Sequence, residues 1–526
     1  MSLPALAETV ALTSMSGSMN SVNVSEVKTR GAYIQEVSFN INSIETSANF
    51  AHPQFTVVSA KNISFSQNVG SPSLPFKALV VAGKPSDLDI VVDAGQAVEL
   101  DMITSPSQPE DCRCEVQKAK KWAFNEKAQV MTKVEYLGKY RGQDLSRVTF
   151  TAAQTDFVTG ITSFYPNLKA SVTSNASLAD VFAAEVESDV DYLIVSPSSL
   201  LGGLTDLVNK KESEGLKVKT VKLEDIGNDV AKLTAFFKAE FAKNPYKYAL
   251  IVGNDTLVVN HKVDTSGSSS TPSDYPYFLM DAGDMIPDVH YGRVVAATTE
   301  EVARQVKKWI GYADHSSPAA QYLKMVGIAS NEGNAPSDEE YVTGIEADMK
   351  AGYSTTTTHF AQNSATSRPE NINKALGDGA SFLVYLGHGS GTSWGSTGVS
   401  YNNASIKQLT NSKVLQPIIV DVACMNGVLR KGYFGETWLN ATNAQGESIG
   451  ASMYYGGSVN ISWHPPAIMA RGMVKKAISL GLGKVGDVLL AGQVYLLENY
   501  TGKEEVKDNF EWYHLFGEPS SPFHFK

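Results

Sequence analysis

Cysteine is scarce in this chain, and long apolar runs are absent. Only three cysteines occur among 526 residues, which excludes the disulfide framework of small secreted domains. No stretch approaches the ~18–20 continuous apolar residues that a membrane-spanning helix needs. Basic residues are outnumbered, 44 against 55 acidic ones, and the net charge of −11 argues against nucleic acid or an anionic membrane as the main partner. These shortages point to a globular protein without a membrane span.

The remaining composition is that of an ordinary globular protein. Apolar residues make up 43% of the chain and charged residues 19%, which excludes a disordered or fibrous protein. A chain of this length exceeds the ~250–300 residues beyond which a single core usually splits into domains. More than one domain is therefore expected.

Two short apolar runs, each followed at once by a reactive side chain, are the most informative part of the sequence. Ala380–Leu386 precedes His388, which lies between two glycines, and Gln416–Ala423 precedes Cys424. Such β-branched runs bounded by Gly or Pro predict buried strands of a sheet that is covered on both faces. Chemistry collects beyond the carboxyl ends of such strands. A strand-end cysteine alone is more often packing, but the pair favours a thiol nucleophile and its base.

The sequence around this pair resembles the motifs of the gingipain-like cysteine peptidases, a branch of the caspase-hemoglobinase fold. Their histidine and cysteine motifs are similar to Tyr385–Ser390 and Asp421–Gly427. Further matching segments are Gly327–Gly333, Ser462–Pro466 and Leu515–Pro519. The resemblance covers most of the chain beyond about residue 191. It implies an α/β caspase-like fold, with a mostly parallel sheet covered by helices in two α/β subdomains.

The chemistry of the pair assigns roles to both side chains. A thiolate attacks a carbonyl, and a neighbouring imidazole takes the thiol proton and later protonates the leaving amine. Cys424 is therefore the expected nucleophile and His388 the expected general base and acid. The backbone N–H groups of Gly389 and Cys424 are candidates for an oxyanion hole, because glycine permits close backbone approach. These positions resemble the oxyanion hole of caspase-fold enzymes.

The resemblance implies three further site residues, and each has an ordinary alternative. Glu332 matches the carboxylate that orients the histidine, although a Glu in a Gly-rich loop is usually only solvated. Trp463 resembles the aromatic lid of the primary specificity pocket, or is ordinary packing. Asp338 stands near the place of the pocket-floor acid that receives arginine, but a helix N-cap role explains it equally well. Cleavage after Arg or Lys is thus a hypothesis.

The sequence predicts two domains with different periodicity. Residues 1–185 form a β-rich, sandwich-like N-terminal domain, because alternating strand patterns such as Ala32–Phe39 recur between Gly, Pro and Ser clusters. Residues 186–526 form the peptidase-like domain, where strands alternate with helical patterns of about 10–15 residues. Its subdomain A is expected over about 190–320 and its catalytic subdomain B over about 321–526.

The N-terminal domain is expected to act on the rest of the chain. Gly70–Phe76 and the Pro106–Pro109 loop resemble the propeptide of the family, which implies an inhibitory and folding-assisting domain. Pattern alone favours a plain accessory sandwich. The predicted linker at Asn175–Asp191 lies in a stretch from Lys169 to Lys210 without Lys or Arg. A protease specific for basic residues cannot process itself inside that linker.

Location, cofactors and disulfides are less defined. Met1–Glu8 contains an Ala-x-Ala pattern that is either the remnant of a trimmed export signal or an Ala-rich start. The resemblance implies a secreted, periplasmic or cell-surface bacterial protein. Catalysis is expected to need no cofactor, and structural calcium is possible at acidic loops such as Asp281–Asp288, although no EF-hand signature occurs. Cys112 and Cys114 are interpreted as loop residues without a role, since so tight a spacing gives at best a strained bridge.

Three functions remain open from the sequence. The first is a secreted cysteine endopeptidase that acts on proteins or peptides and has its own N-terminal domain as an intramolecular inhibitor. The second is a sortase-like transpeptidase of the same family, in which an amine resolves the acyl-enzyme. The third is an inactive caspase-fold surface or binding protein, against which the presence of both His388 and Cys424 argues.

Overall fold

A computed structural model describes residues 7–14, 19–29, 31–113, 121–126, 130–333 and 335–523. Most of the N-terminal Ala-x-Ala pattern, and Cys114, lie outside these residues. The chain divides into two compact units. The first comprises Met1–Glu110, Lys118–Ala184 and Leu496–Val506, and the second comprises Asp111–Gln117, Glu185–Tyr495 and Lys507–Lys526. The main crossing between units falls at Ala184 and Glu185, and the short segment Asp111–Gln117 belongs with the second unit.

The first unit is β-rich, as predicted. Its strands pair antiparallel in four sheets of three or four strands each. The strands are Glu8–Ala11, Ser21–Thr29, Ala32–Asn40, Ser43–Ala48, Thr56–Ser59, Ser64–Phe65, Pro75–Ala82, Asp89–Asp93, Val98–Leu100, Thr132–Tyr140, Gln143–Thr151, Ala153–Asp156, Ile161–Phe164 and Lys169–Ser174. The predicted linker contains a short helix, Leu178–Phe182, which a Ser177 capping box begins.

Alternating burial explains why these segments are strands. Along Ala32–Asn40 every second side chain is buried, namely Tyr33, Gln35, Val37 and Phe39. Val37 and Phe39 join the apolar core of the unit. Successive side chains of a strand point to opposite faces, so an alternating sequence buries one face of a sheet.

The second unit is built on a ten-stranded sheet. In spatial order its strands are Val218–Lys222, Tyr192–Ser196, Tyr248–Val252, His290–Val294, Tyr513–Phe516, Met453–Gly457, Ile418–Val422, Phe382–Leu386, Lys324–Ala329 and Thr356–Ala361. Neighbouring strands are parallel except where Tyr513–Phe516 meets Met453–Gly457. Two small hairpins add His261–Val263 with Thr271–Ser273 and Ser393–Trp394 with Tyr401–Asn402.

Helices connect these strands, as expected for parallel pairing. They are Thr205–Ser213, Leu223–Ile226, Val230–Lys243, Thr299–Ala313, Ala319–Tyr322, Asp338–Tyr353, Pro369–Gly377, Asn403–Ile406, Phe434–Asn440, His464–Leu480, Val485–Asn499 and Lys503–Trp512, with 3-10 turns at Pro85–Asp87, Ser198–Leu204, Tyr275–Phe278 and Asn411–Lys413. Among the described residues, no helix is both long and apolar enough to cross a membrane.

The two motif strands are direct neighbours in this sheet. Phe382–Leu386 pairs in parallel with Ile418–Val422, and Leu386 lies opposite Val422 at the carboxyl ends. Every residue of both strands is buried, which explains why all of them except Asp421 are apolar. His388 and Cys424 therefore leave the sheet at the same edge, each two residues beyond its strand.

Candidate active site

Cys424 lies in a tight turn after its strand. The next residue, Met425, has φ of 61°, a left-handed conformation that is uncommon for a residue other than glycine. Cys424 is 1% exposed, and its Sγ accepts a hydrogen bond from the Ile461 N–H at 3.4 Å. Burial raises the pKa of the thiol to about 11, although the Ile461 N–H and the positive charge of Arg113 oppose this shift. In this state the sulfur is a protonated thiol at neutral pH.

His388 is held between two oxygen acceptors. Its Nε2 lies 3.0 Å from Glu332 Oε2, and its Nδ1 donates to the backbone carbonyl of Arg113. The ring also packs edge-on against Trp463, with centroids 5.7 Å apart.

Gly389 brings the turns that carry His388 and Cys424 into backbone contact. A Cβ at this position would overlap the Cys424 carbonyl oxygen and would lie 2.9 Å from the Cys424 nitrogen. Only glycine fits so close an approach. Within the hydrogen bonds of the described residues, neither the Gly389 N–H nor the Cys424 N–H has an acceptor. Two adjacent free N–H groups beside the sulfur are what an oxyanion hole requires.

The side chain of Arg113 is buried against Asp338 and Trp463, and the space that it occupies is called the Asp338 pocket below. Arg113 Nη1 and Nη2 donate to the two carboxylate oxygens at 2.8 Å and 2.7 Å, and both side chains are 0% exposed. Arg113 Nε and Nη2 also donate to the Trp463 carbonyl at 3.0 Å and 2.7 Å, and the guanidinium carbon lies 4.5 Å from the Trp463 ring centroid. Burial opposes the charge, but the Asp338 carboxylate outweighs it and raises the pKa of Arg113.

The N-cap interpretation of Asp338 is wrong. The cap of helix Asp338–Tyr353 is Ser337, which forms a capping box with Glu340. Asp338 is the first helical residue, and its Oδ2 accepts a hydrogen bond from Ser330 Oγ at 2.7 Å. The same hydroxyl accepts from the Glu332 N–H at 3.1 Å. Ser330 therefore links Asp338 to the loop that carries Glu332.

The backbone of Cys112 and Arg113 pairs with that of Ile461 and Ser462. The Arg113 N–H donates to the Ile461 carbonyl at 2.9 Å, and Cys112 forms an antiparallel bridge with Ser462. Main-chain pairing of this kind is how extended peptides are recognised. Cys112 is disulfide-bonded.

The structure brings all six predicted site residues together: Cys424, His388, Glu332, Gly389, Trp463 and Asp338. Glu332 is 44% exposed, yet it contacts His388 and is not simply solvated. One expected contact differs, because within the described part of the chain Cys424 Sγ makes no hydrogen bond to His388. Sequence reasoning missed Arg113 and Ile461. The position of Arg113 between two cysteines was a weak signal. Ile461 contributes through its backbone N–H, which leaves no signal in the sequence.

A metal site is not apparent. Across the described ranges, no group of three or more His, Cys, Asp or Glu side chains could hold a metal ion. Calcium at Asp281–Asp288 stays a prediction, since backbone carbonyls also serve as calcium ligands.

Comparison with known proteins identifies solved structures with a similar fold. The second unit has the caspase-hemoglobinase fold. It is similar to the crystal structure of the Arg-specific cysteine proteinase gingipain R, with a TM-score of 0.58 and 26% identity over 64% of this chain and 79% of that one. It is also similar to the complex of Porphyromonas gingivalis RgpB pro- and mature domains, with a TM-score of 0.57 and 27% identity over 63% and 79% of the two chains.

The sequence profile of peptidase family C25 matches residues 185–524, well over half of the chain. The chain belongs to peptidase family C25. Gingipain R2 of Porphyromonas gingivalis is 26% identical over 389 residues, which are 71% of this chain and 50% of that protein. Gingipain R1 of the same organism is 28% identical over 345 residues, 62% and 33% of the two chains. The chain thus spans half or less of the length of these relatives.

Proposed function

We propose that this protein is a secreted cysteine endopeptidase that cuts peptide bonds after arginine and is held latent by its own Arg113 segment. The proposal rests on the contacts that Arg113 makes. Its guanidinium lies on Asp338, its carbonyl lies on His388 and its N–H lies on Ile461. A substrate arginine at the same place presents its carbonyl to the sulfur and the imidazole.

The pocket favours arginine over lysine for a geometric reason. Three nitrogens of the guanidinium donate to the Asp338 carboxylate and the Trp463 carbonyl, and the planar group stacks near the Trp463 ring. A lysine ammonium is a point charge without this planar fork and cannot reproduce the paired contacts. The relatives named Arg-specific and gingipain R support the same preference.

The proposed reaction follows from the contacts. His388 accepts the Cys424 thiol proton, the sulfur attacks the carbonyl carbon, and the N–H groups of Gly389 and Cys424 stabilise the oxyanion. His388 then gives the proton to the leaving amine, which departs and leaves a thioester. Water, activated by His388, hydrolyses the thioester and restores the thiol. Glu332 holds the imidazole in place throughout.

Latency follows from the same geometry. Arg113 fills the pocket, and Cys424 is almost fully covered in this state. The buried thiol, with its pKa near 11, carries little thiolate at neutral pH. Removal of the Arg113 side chain vacates the pocket and frees the sulfur for substrate.

The test compares full-length variants on peptide amides that end in Arg, Lys or Ala. Arg113→Ala should raise turnover of the Arg peptide above that of the unchanged chain, by about 10-fold or more if the segment competes as a bound substrate. Cys424→Ala or His388→Ala in that background should abolish it. The variant Arg113→Lys keeps the charge but loses the planar fork, so it should give intermediate activity.

Two outcomes would contradict the proposal. Equal turnover of Arg, Lys and Ala peptides would remove the specificity assignment. Turnover that persists in Cys424→Ala would remove the nucleophile. Mass spectra with glycine amide present separate hydrolysis from transpeptidation, since only a transpeptidase converts most of the acyl-enzyme into the amide adduct.

A further inference from the structure

Asn426 lies two residues after Cys424, and its side chain contacts the turn that carries His388. Its Oδ1 accepts a hydrogen bond from the Gly391 N–H at 3.0 Å, and its Nδ2 donates to the Ser393 carbonyl at 3.2 Å. Asn426 is 0% exposed. One amide group thus joins the two turns that hold the sulfur and the imidazole.

A buried carboxylate anchors this amide. Asn426 Nδ2 also donates to Asp421 Oδ2 at 3.0 Å. The same oxygen accepts from Trp394 Nε1 at 2.9 Å and from the hydroxyl of Tyr454. Trp394 belongs to the His388 turn, where Gly389 and Trp394 form an antiparallel bridge. The carboxylate therefore fixes both turns, one through Trp394 and one through Asn426.

The orientation of the amide has no alternative. A flip would place the NH₂ group of Asn426 against the Gly391 N–H, and the amide oxygen against the Asp421 carboxylate and the Ser393 carbonyl. An aspartate at this position keeps the shape but places a second carboxylate about 3 Å from Asp421, which like charges in a buried site do not tolerate.

The carboxylate is kept at a cost in stability. Burial raises the pKa of Asp421 to about 6, although Tyr454, Trp394 and Asn426 all donate to it and oppose the shift. Because the folded pKa lies above the usual 3.8, this group favours folding most below pH 3.8, and that contribution is lost as pH rises through 6. A neutral acceptor would serve packing alone at lower cost.

We propose that Asn426, anchored by Asp421, is a positioning residue that sets the spacing between Cys424 and His388. The proposal rests on the function proposed above for that pair. Loss of the amide lets the two turns separate, and a misplacement near ~1 Å is enough to slow chemistry about 100-fold. The Asp338 pocket is untouched, so substrate binding should change little.

The test uses the full-length chain with Arg113→Ala, which opens the site. Two variants are compared: Asn426→Asp and Asp421→Asn. Asn426→Asp should lower kcat per titrated site by about 100-fold with KM nearly unchanged. The control is Asn443→Asp, which breaks a similar amide–carboxylate bond to Glu447, 2.9 Å long, outside the site.

A second measurement is independent of peptide cleavage. The pH profile of Cys424 alkylation by iodoacetamide reports whether the imidazole still assists the thiol. Asn426→Asp should move this profile to higher pH, and the control Asn443→Asp should leave it unchanged. If the unchanged site alkylates in this way but cleaves no Arg peptide, the proposed specificity fails while the positioning role stands.

The melting temperature of Asp421→Asn distinguishes a positioning role from a role in stability alone. Asp421→Asn removes the buried charge, so it should melt no lower than its parent while kcat falls several-fold. This variant also carries the test if Asn426→Asp does not fold. Unchanged kcat and an unchanged alkylation profile in folded variants would overturn the proposal.

Discussion

Arg113 and Asp338 form a two-pronged ion pair that is sealed from solvent. The two N–O distances are 2.8 Å and 2.7 Å, and neither side chain exposes any surface. Without Arg113, the Asp338 carboxylate keeps the Ser330 hydroxyl as a donor and becomes open to water or to a substrate arginine. The pair therefore links the proposed latency of the protein to its proposed specificity.

Replacement of Asp338 by Asn should remove the preference for arginine. We expect kcat/KM for an Arg peptide to fall about 100-fold or more in the Arg113→Ala background, since truncation of a buried charge pair costs about 2–5 kcal/mol. The matched control is Asp348→Asn on the same helix, whose partner Arg471 is partly exposed. Equal effects of the two substitutions on kcat/KM would contradict the role of Asp338 in binding arginine.

Glu332 should matter for turnover rather than for binding. Glu332→Gln keeps the shape but replaces the carboxylate that faces His388 Nε2. We expect kcat to fall by up to about 100-fold, because the imidazole is no longer held in one orientation, while KM for the Arg peptide stays nearly constant. Glu339→Gln, an exposed acid on the following helix, is the control. A fall confined to KM would contradict the orienting role.

The buried thiol predicts a stability change at alkaline pH. The pKa of Cys424 is raised from 9.0 to about 11, so the folded chain holds its proton more tightly than the unfolded chain. This contribution is fully present below pH 9 and is lost as pH rises through 11. It amounts to about 2–3 kcal/mol. Unfolding in urea on either side of this range measures it, and Cys424→Ser should lack this part of the pH dependence.

The Cys112 disulfide should strengthen latency. Cys112 is disulfide-bonded and directly precedes Arg113, so the bridge limits the conformations that the segment can adopt away from the pocket. Cys112→Ser should raise the turnover of the otherwise unchanged chain roughly 2- to 10-fold, as expected for the freedom of one or two side chains. The assay is run without reductant. The difference should vanish when a dithiol reduces the bridge in both proteins.

The sequence determined the two motif strands, because burial on both faces of a strand requires a run of mostly apolar residues. Phe382–Leu386 and Ile418–Val422 must be largely apolar, and Gly389 must lack a side chain. These are local requirements, so a single sequence records them. His388 and Cys424 follow directly, since each stands a fixed two residues beyond its strand.

The same reasoning explains the β-rich first unit and the helix–strand alternation of the second. Strand and helix periods are local properties of the chain. The helix Leu178–Phe182, inside the predicted linker Asn175–Asp191, was not predicted, because five residues are too few to show a helical period.

Only the tertiary structure decided what fills the pocket. Arg113 and Asp338 are 225 positions apart, and nothing local in either segment specifies their contact. The N-cap assignment of Asp338 failed because Ser337 serves as the cap equally well in sequence terms. The contribution of Ile461 through its N–H depends on backbone placement alone. Contacts of this kind arise when distant segments are packed, and hydrophobic periodicity carries no record of them.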